Sequence, residues 1–359
     1  MNLELYRPLA ERLDALPNGF PPAADGAELR LLARLFTPEE AQLAAQLRLT
    51  LETPAQIAAR LGADPRALRQ QLKEMARGGL IAAGRAEGGL GYGLLPFVVG
   101  IYEAQVGRID AELAALFEAY YRQAYGKMMA VQPPVHRVIP IGESVTTRLE
   151  IRPYESASEI INAVKAWGVV DCICRKQKAL IGEGCQHPLD VCMILSETSG
   201  AFDNRSEVRA LTREGALETL QRAAQAGLVH SVSNNQRGLW YICNCCTCSC
   251  GILRGVVELG VTSVVAASAY HSQVEEALCS ACANCVDACQ FGALRIEMTA
   301  QVNLARCVGC GLCVPACPEA AISLARRPEA SLAGAPPANE DEWRTARAAA
   351  RGLDLERAR

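Results

Sequence analysis

No apolar run in the chain reaches the roughly 18 residues of a membrane span. Met1–Pro8 carries no basic segment leading into an apolar one, which argues against a secretory signal and for a cytoplasmic location. Three signatures of common chemistry are also missing: a serine–histidine–acid set, a phosphate loop and a dinucleotide fingerprint. The glycines of Gly88-Gly-Leu-Gly-Tyr-Gly93 do not supply the last, because they lack the strand-then-helix setting that a nucleotide site requires. Surplus charge is absent too. A formal net charge of −3 over 359 residues gives no global attraction to nucleic acid or anionic lipid. Finally, the N-terminal part of the chain has no cysteine.

All 17 cysteines lie between residues 172 and 317. In a reducing compartment structural disulfides are not the default, and an odd number rules out complete pairing. Metal ligation or thiol redox chemistry remains. The length exceeds one ordinary core and predicts several domains.

Residues 37–95 predict a compact helical unit. Thr37-Pro-Glu-Glu40 and Thr53-Pro-Ala-Gln56 are N-caps with proline at the first helical position and a capping-box partner three residues on. Asp64-Pro65 caps a third helix running to about Arg77, and Gly78-Gly79 stops it. A short Leu61-Gly-Ala63 turn separates the second and third helices. Leu80–Leu95 then reads as two short strands around a glycine-rich tip, an order that resembles a winged helix. Leu68, Leu72 and Met75 mark the apolar face of the third helix, while Arg66, Arg69, Lys73 and Arg77 mark the opposite one. That face suits DNA contacts; near-balanced charge across the unit favours a solvated face used for protein contacts. Ile109, Leu113, Leu116, Phe117 and Tyr120 predict an amphipathic helix within 101–125, a connector or dimer surface ended by Pro133-Pro134. Arg137–Arg152 reads as a strand or extended connector.

The strongest pattern is Cys279-x2-Cys282-x2-Cys285-x3-Cys289 followed by Cys307-x2-Cys310-x2-Cys313-x3-Cys317-Pro318, with every cysteine recurring after 28 residues. Ala288, Ala293, Leu294 and Ile296 recur as Ala316, Ala321, Ile322 and Leu324. This resembles the bacterial two-cluster ferredoxin family. The resemblance implies one [4Fe-4S] cluster on Cys279, Cys282, Cys285 and Cys317, and a second on Cys307, Cys310, Cys313 and Cys289. Gln290 departs from it, standing where proline is usual, and is expected to loosen that turn.

Nine more cysteines lie upstream: Cys172, Cys174, Cys185, Cys192, Cys243, Cys245, Cys246, Cys248 and Cys250. Ser156-x-x-Glu159 is expected to cap a helix ending at Gly168, and a helix from about Arg213 to Ala226 separates the two thiol groups. Cys-x-Cys in an extended segment puts both sulfurs on one face, so Cys172 with Cys174 and Cys243 with Cys245 can each present a paired edge. Arg175, Lys176 and His187 lie nearby in sequence and would offset thiolate charge. Some subset of the nine is expected to hold a third Fe-S cluster, with zinc or a dithiol site as alternatives. Five of them, Cys243–Cys250, read as half of a site whose other half is Cys172, Cys174, Cys185 and Cys192. His230 and His271 flank the thiol zones, each able to complete a metal site or to serve as an ordinary structural histidine.

Ala333-Gly-Ala-Pro-Pro-Ala338 is a linker, and Glu340–Arg351 a final helix anchored by Trp343 on this chain or a partner. Leu16–Pro21, Leu35–Glu40, Asp171–Arg175 and Ile242–Cys246, together with the repeat, resemble a recurring set of bacterial and archaeal 4Fe-4S dicluster proteins. The expected fold is therefore α+β and multidomain. It comprises a winged-helix-like domain with an N-terminal helix (1–100), a helical connector and extended segment (101–150), a mixed cysteine-rich domain (151–270), a ferredoxin-like domain (271–327), and a linker with a C-terminal helix (328–359). Two clusters predict iron–sulfur electron transfer with a redox partner or larger oxidoreductase, rather than a complete enzyme. A redox-sensing DNA-binding regulator and an iron–sulfur reductase with a middle-domain active site are the alternatives. No catalytic residue is assigned.

Overall fold

The computed structural model describes residues 2–144, 152–328 and 334–355. It is a mixed α+β structure of two compact units. One comprises Met1–Met128, Leu180–Gly182 and Arg344–Arg359; the other comprises Met129–Ala179 and Glu183–Trp343. Among the described residues no helix is long and apolar enough to cross a membrane.

The first unit contains α1 (Arg7–Asp14), α2 (Ala27–Leu35), α3 (Pro38–Ala44), α4 (Pro54–Leu61), α5 (Pro65–Arg77), the strands β1 (Ala82–Ala86) and β2 (Gly89–Gly93), α6 (Ala111–Tyr120) and α7 (Gly126–Met128). Its helix starts follow from local chemistry. Thr37 and Thr53 form reciprocal capping boxes with Glu40 and Gln56, and Asp64 accepts from the Ala67 amide. Gly62 ends α4 in the left-handed region, with φ of 65°. On α5, Leu68, Leu72 and Met75 are buried, while Arg66, Arg69, Lys73 and Arg77 are exposed. Strands β1 and β2 form an antiparallel hairpin, and Glu52 adds a single bridge to Tyr92. The expected helix of 101–125 is shorter: Asp110 caps the Leu113 amide, so regular helix begins only at Ala111. Tyr102 stacks on Phe117 at 3.8 Å between ring centroids.

The second unit is built on a seven-stranded sheet. In chain order its strands are β3 (His136–Val138), β4 (Ala166–Val170), β5 (Cys192–Ser196), β6 (Arg209–Leu211), β7 (Val229–Ser233), β8 (Tyr241–Cys245) and β9 (Val265–Ala266); in space they run β6-β4-β5-β8-β7-β3-β9. All pairings are antiparallel except β3 with β9. Helices α8 (Ala157–Asn162) and α10 (Arg213–Gln225) bury Ile160, Ile161, Ala216 and Leu220 against Met193, Leu195, Val232 and Ile242 of the sheet. Each large side chain so buried contributes roughly 1.5–3 kcal/mol. The remaining elements are α9 (Ile173–Leu180), α11 (Gly251–Val257), β10 (Tyr270–Val274), α12 (Asn284–Asp287), β11 (Leu294–Ile296), β12 (Ala300–Val302), β13 (Ile322–Arg326) and α13 (Glu340–Ala350). Strand β10 pairs with β13, and β11 with β12.

One expectation changes and two become more specific. Helix α8 stops at Asn162, and Gly168 instead sits inside β4, where a Cβ would come within 2.4 Å of Val208 Cγ1. Glycine is needed there for strand packing, not helix termination. Of the 137–152 segment, Arg137 and Val138 form part of β3, while 145–151 lies outside the described residues. Trp343 anchors α13 on the chain itself, its Nε1 donating to Pro134 O at 2.8 Å.

Candidate metal centres

Strand alternation puts Cys243 and Cys245 on one face of β8. In the neighbouring β5, Met193 pairs with Ile242, which brings Cys192 level with Cys243; in β4, Val170 pairs with Cys192, so Cys172 follows just beyond. Three adjacent strands thus deliver thiols to one end of the sheet. Cys174 enters from the first turn of α9 and Cys250 from the N-cap of α11. Cys172 and Cys174 are therefore not an extended pair as expected, because the helix starts at Ile173. They meet through a strand-to-helix turn.

The six sulfurs form a ring of electrostatic neighbours: Cys172 influences Cys174 and Cys192, Cys174 influences Cys250, Cys250 influences Cys245, Cys245 influences Cys243, and Cys243 influences Cys192. Hydrogen bonds from Cys174 and Cys192 hold the Cys172 thiol well below its ordinary pKa, with Arg175 assisting. Neighbouring thiols and burial push Cys174, Cys192, Cys243 and Cys245 well above theirs.

The other three middle cysteines form a separate group. Cys246, one residue past β8, packs among Val191, Ala223 and Leu228 rather than in the ring. Cys185, His187, Cys246 and Cys248 offer four ligand atoms within 4.8 Å of one another. Cys185 Sγ lies 3.9 Å from Cys246 Sγ, and His187 Nδ1 lies 3.4 Å from Cys185 Sγ and 3.7 Å from Cys248 Sγ. Although burial opposes it, hydrogen bonds from Ser249 and His187 bring the Cys185 thiol down to about 6. Cys243–Cys250 and the four upstream thiols do not meet as two halves of one site; the nine divide into a ring of six and a group of three with a histidine. The histidine is His187, not His230 or His271. His230 is fully buried and donates from Nδ1 to Asn244 Oδ1 at 2.5 Å; His271 sits on β10.

Arg175 stands between the groups. Its side chain is buried, and Nη1 donates to Asn244 O at 2.9 Å and to Cys246 Sγ at 3.8 Å. Burial opposes its charge, but the Cys172, Cys192 and Cys246 sulfurs outweigh that and raise its pKa. Nε and Nη2 are buried without a hydrogen-bond partner among the described residues. A buried guanidinium left so costs several kcal/mol unless an anion faces it, and a thiolate-ligated centre is such an anion.

In the duplicated region the repeat extends to backbone conformation. Ala281, Ala283 and Gly292 of the first copy have positive φ (55°, 70° and 57°), as do Gly309, Gly311 and Ala320 of the second (69°, 81° and 50°). Left-handed turns at matching positions wind the backbone around the cysteines, and alanine accepts such a φ only at a cost of about 1–2 kcal/mol. The sulfurs nearest Cys285 in electrostatic effect are Cys317, Cys279 and Cys282; for Cys313 they are Cys307 and Cys289. Cys289, Cys307, Cys310 and Cys313 line one cavity with Phe291, Leu294 and Leu312. Backbone amides reach sulfur, with Ala293 N donating to Cys289 Sγ at 3.3 Å and Ala300 N to Cys279 Sγ at 3.4 Å. Ser272 Oγ lies 3.1 Å from Cys313 Sγ. Four thiols, an apolar wall and amide hydrogen bonds to sulfur fit an iron–sulfur cubane.

Gln290 also proves different from expectation. Its Oε1 accepts from the Thr247 amide at 2.7 Å and its Nε2 donates to Gly227 O. In place of a loosened turn, the side chain ties the Cys289 loop to the segment between Cys246 and Cys248.

These features define an iron–sulfur protein. A family model described as a 4Fe-4S binding domain matches residues 300–323, a span holding Cys307, Cys310, Cys313 and Cys317. No curated protein and no solved structure matches the chain.

Proposed function

We propose that this chain is an electron-transfer protein holding two [4Fe-4S] clusters in its C-terminal repeat and a third Fe-S centre in the six-thiol ring. Cys279, Cys282, Cys285 and Cys317 would ligate the first cluster, Cys307, Cys310, Cys313 and Cys289 the second, and four or more of the ring thiols the third. The observation that carries this reading is the 28-residue duplication, repeated in sequence and in left-handed turns. Bound clusters supply reversible one-electron chemistry. The chain's own residues set the conditions for it: amides and Ser272 donate toward sulfur, Arg175 offsets the ring's negative charge, and Gln290 holds the Cys289 loop against Thr247. The partner is a redox protein or oxidoreductase complex. Anaerobic EPR-monitored redox titration tests this. Cys282→Ala and Cys310→Ala should each disturb a different signal, whereas one signal answering to both variants would contradict two separate clusters.

A second reading makes the first unit a winged-helix-like DNA-binding domain controlled by cluster state. Its support is α5, where Arg66, Arg69, Lys73 and Arg77 are exposed along one face and form no ion pair among the described residues. Replacing Arg66, Arg69 and Lys73 by alanine should then weaken salt-dependent, sequence-selective DNA binding. If neither oxidised nor reduced protein binds DNA selectively, this reading fails.

A further inference from the structure

The geometry points to a mononuclear zinc site formed by Cys185, His187, Cys246 and Cys248, separate from any iron–sulfur centre in the ring. The argument rests on spacing and ligand type. Four ligands on one tetrahedral zinc, with Zn–S of about 2.3 Å and Zn–N of about 2.0–2.1 Å, stand about 3.8 Å apart for sulfur pairs and about 3.6 Å for sulfur–nitrogen pairs. The observed Cys185–Cys246 separation of 3.9 Å and the two His187 separations of 3.4 and 3.7 Å match those edges. In a cubane each thiolate binds a different iron, which spreads the ligand atoms well beyond the spacing of donors that share one ion. All four atoms here fall within 4.8 Å of one another.

Chain geometry explains how the site stays apart from the ring. Cys245 belongs to the ring and Cys246 to this group, so one peptide bond at the end of β8 divides them. Three thiolates and a neutral imidazole on a divalent ion leave one negative charge. Arg175 answers it with the Nη1 contact to Cys246 Sγ, and Ser249 Oγ lies 3.5 Å from Cys185 Sγ. Such outer contacts fix ligand orientation. Four protein ligands and no open position make the site structural rather than catalytic. It pins the loop carrying Cys185 and His187 to the segment that also holds Thr247 and its Gln290 link. The inference does not depend on what the ring binds.

The test uses the full-length protein, purified anaerobically from cells supplied with both iron and zinc. Elemental analysis should find one zinc per chain, and zinc K-edge EXAFS should resolve three sulfurs at about 2.3 Å and one nitrogen at about 2.0 Å. The double variant Cys185→Ser, Cys248→Ser should lose zinc at least tenfold with iron per chain unchanged. Absence of zinc from the parent protein, an all-sulfur zinc shell, or loss of iron in parallel with zinc would each overturn the assignment. Should the double variant fail to fold, the EXAFS shell of the parent decides alone.

Discussion

Gly309 and Ala281 hold equivalent positions in the two copies of the repeat, with φ of 69° and 55°, yet obey different constraints. A Cβ on Gly309 would lie 2.1 Å from Tyr270 O and 2.3 Å from Ser268 Oγ. Gly309→Ala should therefore displace that loop and cost more than about 3 kcal/mol, with loss of iron from the second copy. Ala281→Gly relieves a left-handed alanine and should raise stability by up to about 1 kcal/mol. Chemical denaturation of both variants checks the contrast; equal effects would contradict it. His230 gives a pH prediction. Burial, only partly opposed by its bond to Asn244, lowers its pKa to about 4, against about 6.5 in the unfolded chain. The unfolded chain therefore takes up a proton that the fold refuses as pH falls from about 6.5 to about 4. Stability from this group is full above that window and lost through it, by about 3 kcal/mol. His230→Gln should show a shallower fall in denaturation midpoint between pH 7 and 4.5 than the parent.

At the scale of elements, Gln290 joins the loop after Cys289 to Thr247 and Gly227. Gln290→Ala should cost about 1–3 kcal/mol, since the Thr247 amide loses its acceptor and Gly227 O its donor. The same variant should slow electron exchange between the repeat and the ring, read by freeze-quench EPR; Gln290→Pro, which restores the residue usual in ferredoxins, should behave as the alanine variant does. Which elements were legible in advance follows from range. The starts of α3, α4 and α5 were written in residues three apart, Thr37 with Glu40 and Thr53 with Gln56, and the structure has those caps. Gly168 misled because what demands glycine there is Val208, far along the chain and across the sheet. Gln290 misled for the same reason. The ring was the least legible, since its membership is set by the order β4-β5-β8 and not by the spacing of cysteines. His187 carries a local signal, standing two residues from Cys185, but in sequence it signals charge as readily as ligation.

At the scale of the whole molecule, the tail is held by more than the aromatic anchor visible in its sequence. Arg347 is fully buried and donates to Pro17 O at 2.9 Å and to Met128 O at 3.1 Å, and Arg351 bonds Asp14 Oδ1 at 2.9 Å. Arg347→Ala strips donors from two carbonyls and leaves a cavity, so a loss of about 2–4 kcal/mol is expected in thermal or urea unfolding. The metal-bearing unit carries all 17 cysteines, divided by topology into the duplicated eight, the ring of six and the group of three with His187. That division makes the protein's composition in metal its most direct test. Iron, acid-labile sulfide and zinc should be counted per chain in a fully loaded anaerobic preparation. Two four-iron clusters in the repeat and a third centre of two or four irons in the ring predict about ten to twelve irons. About eight would confine iron to the repeat and contradict the ring assignment, and fewer than eight would contradict the paired clusters themselves.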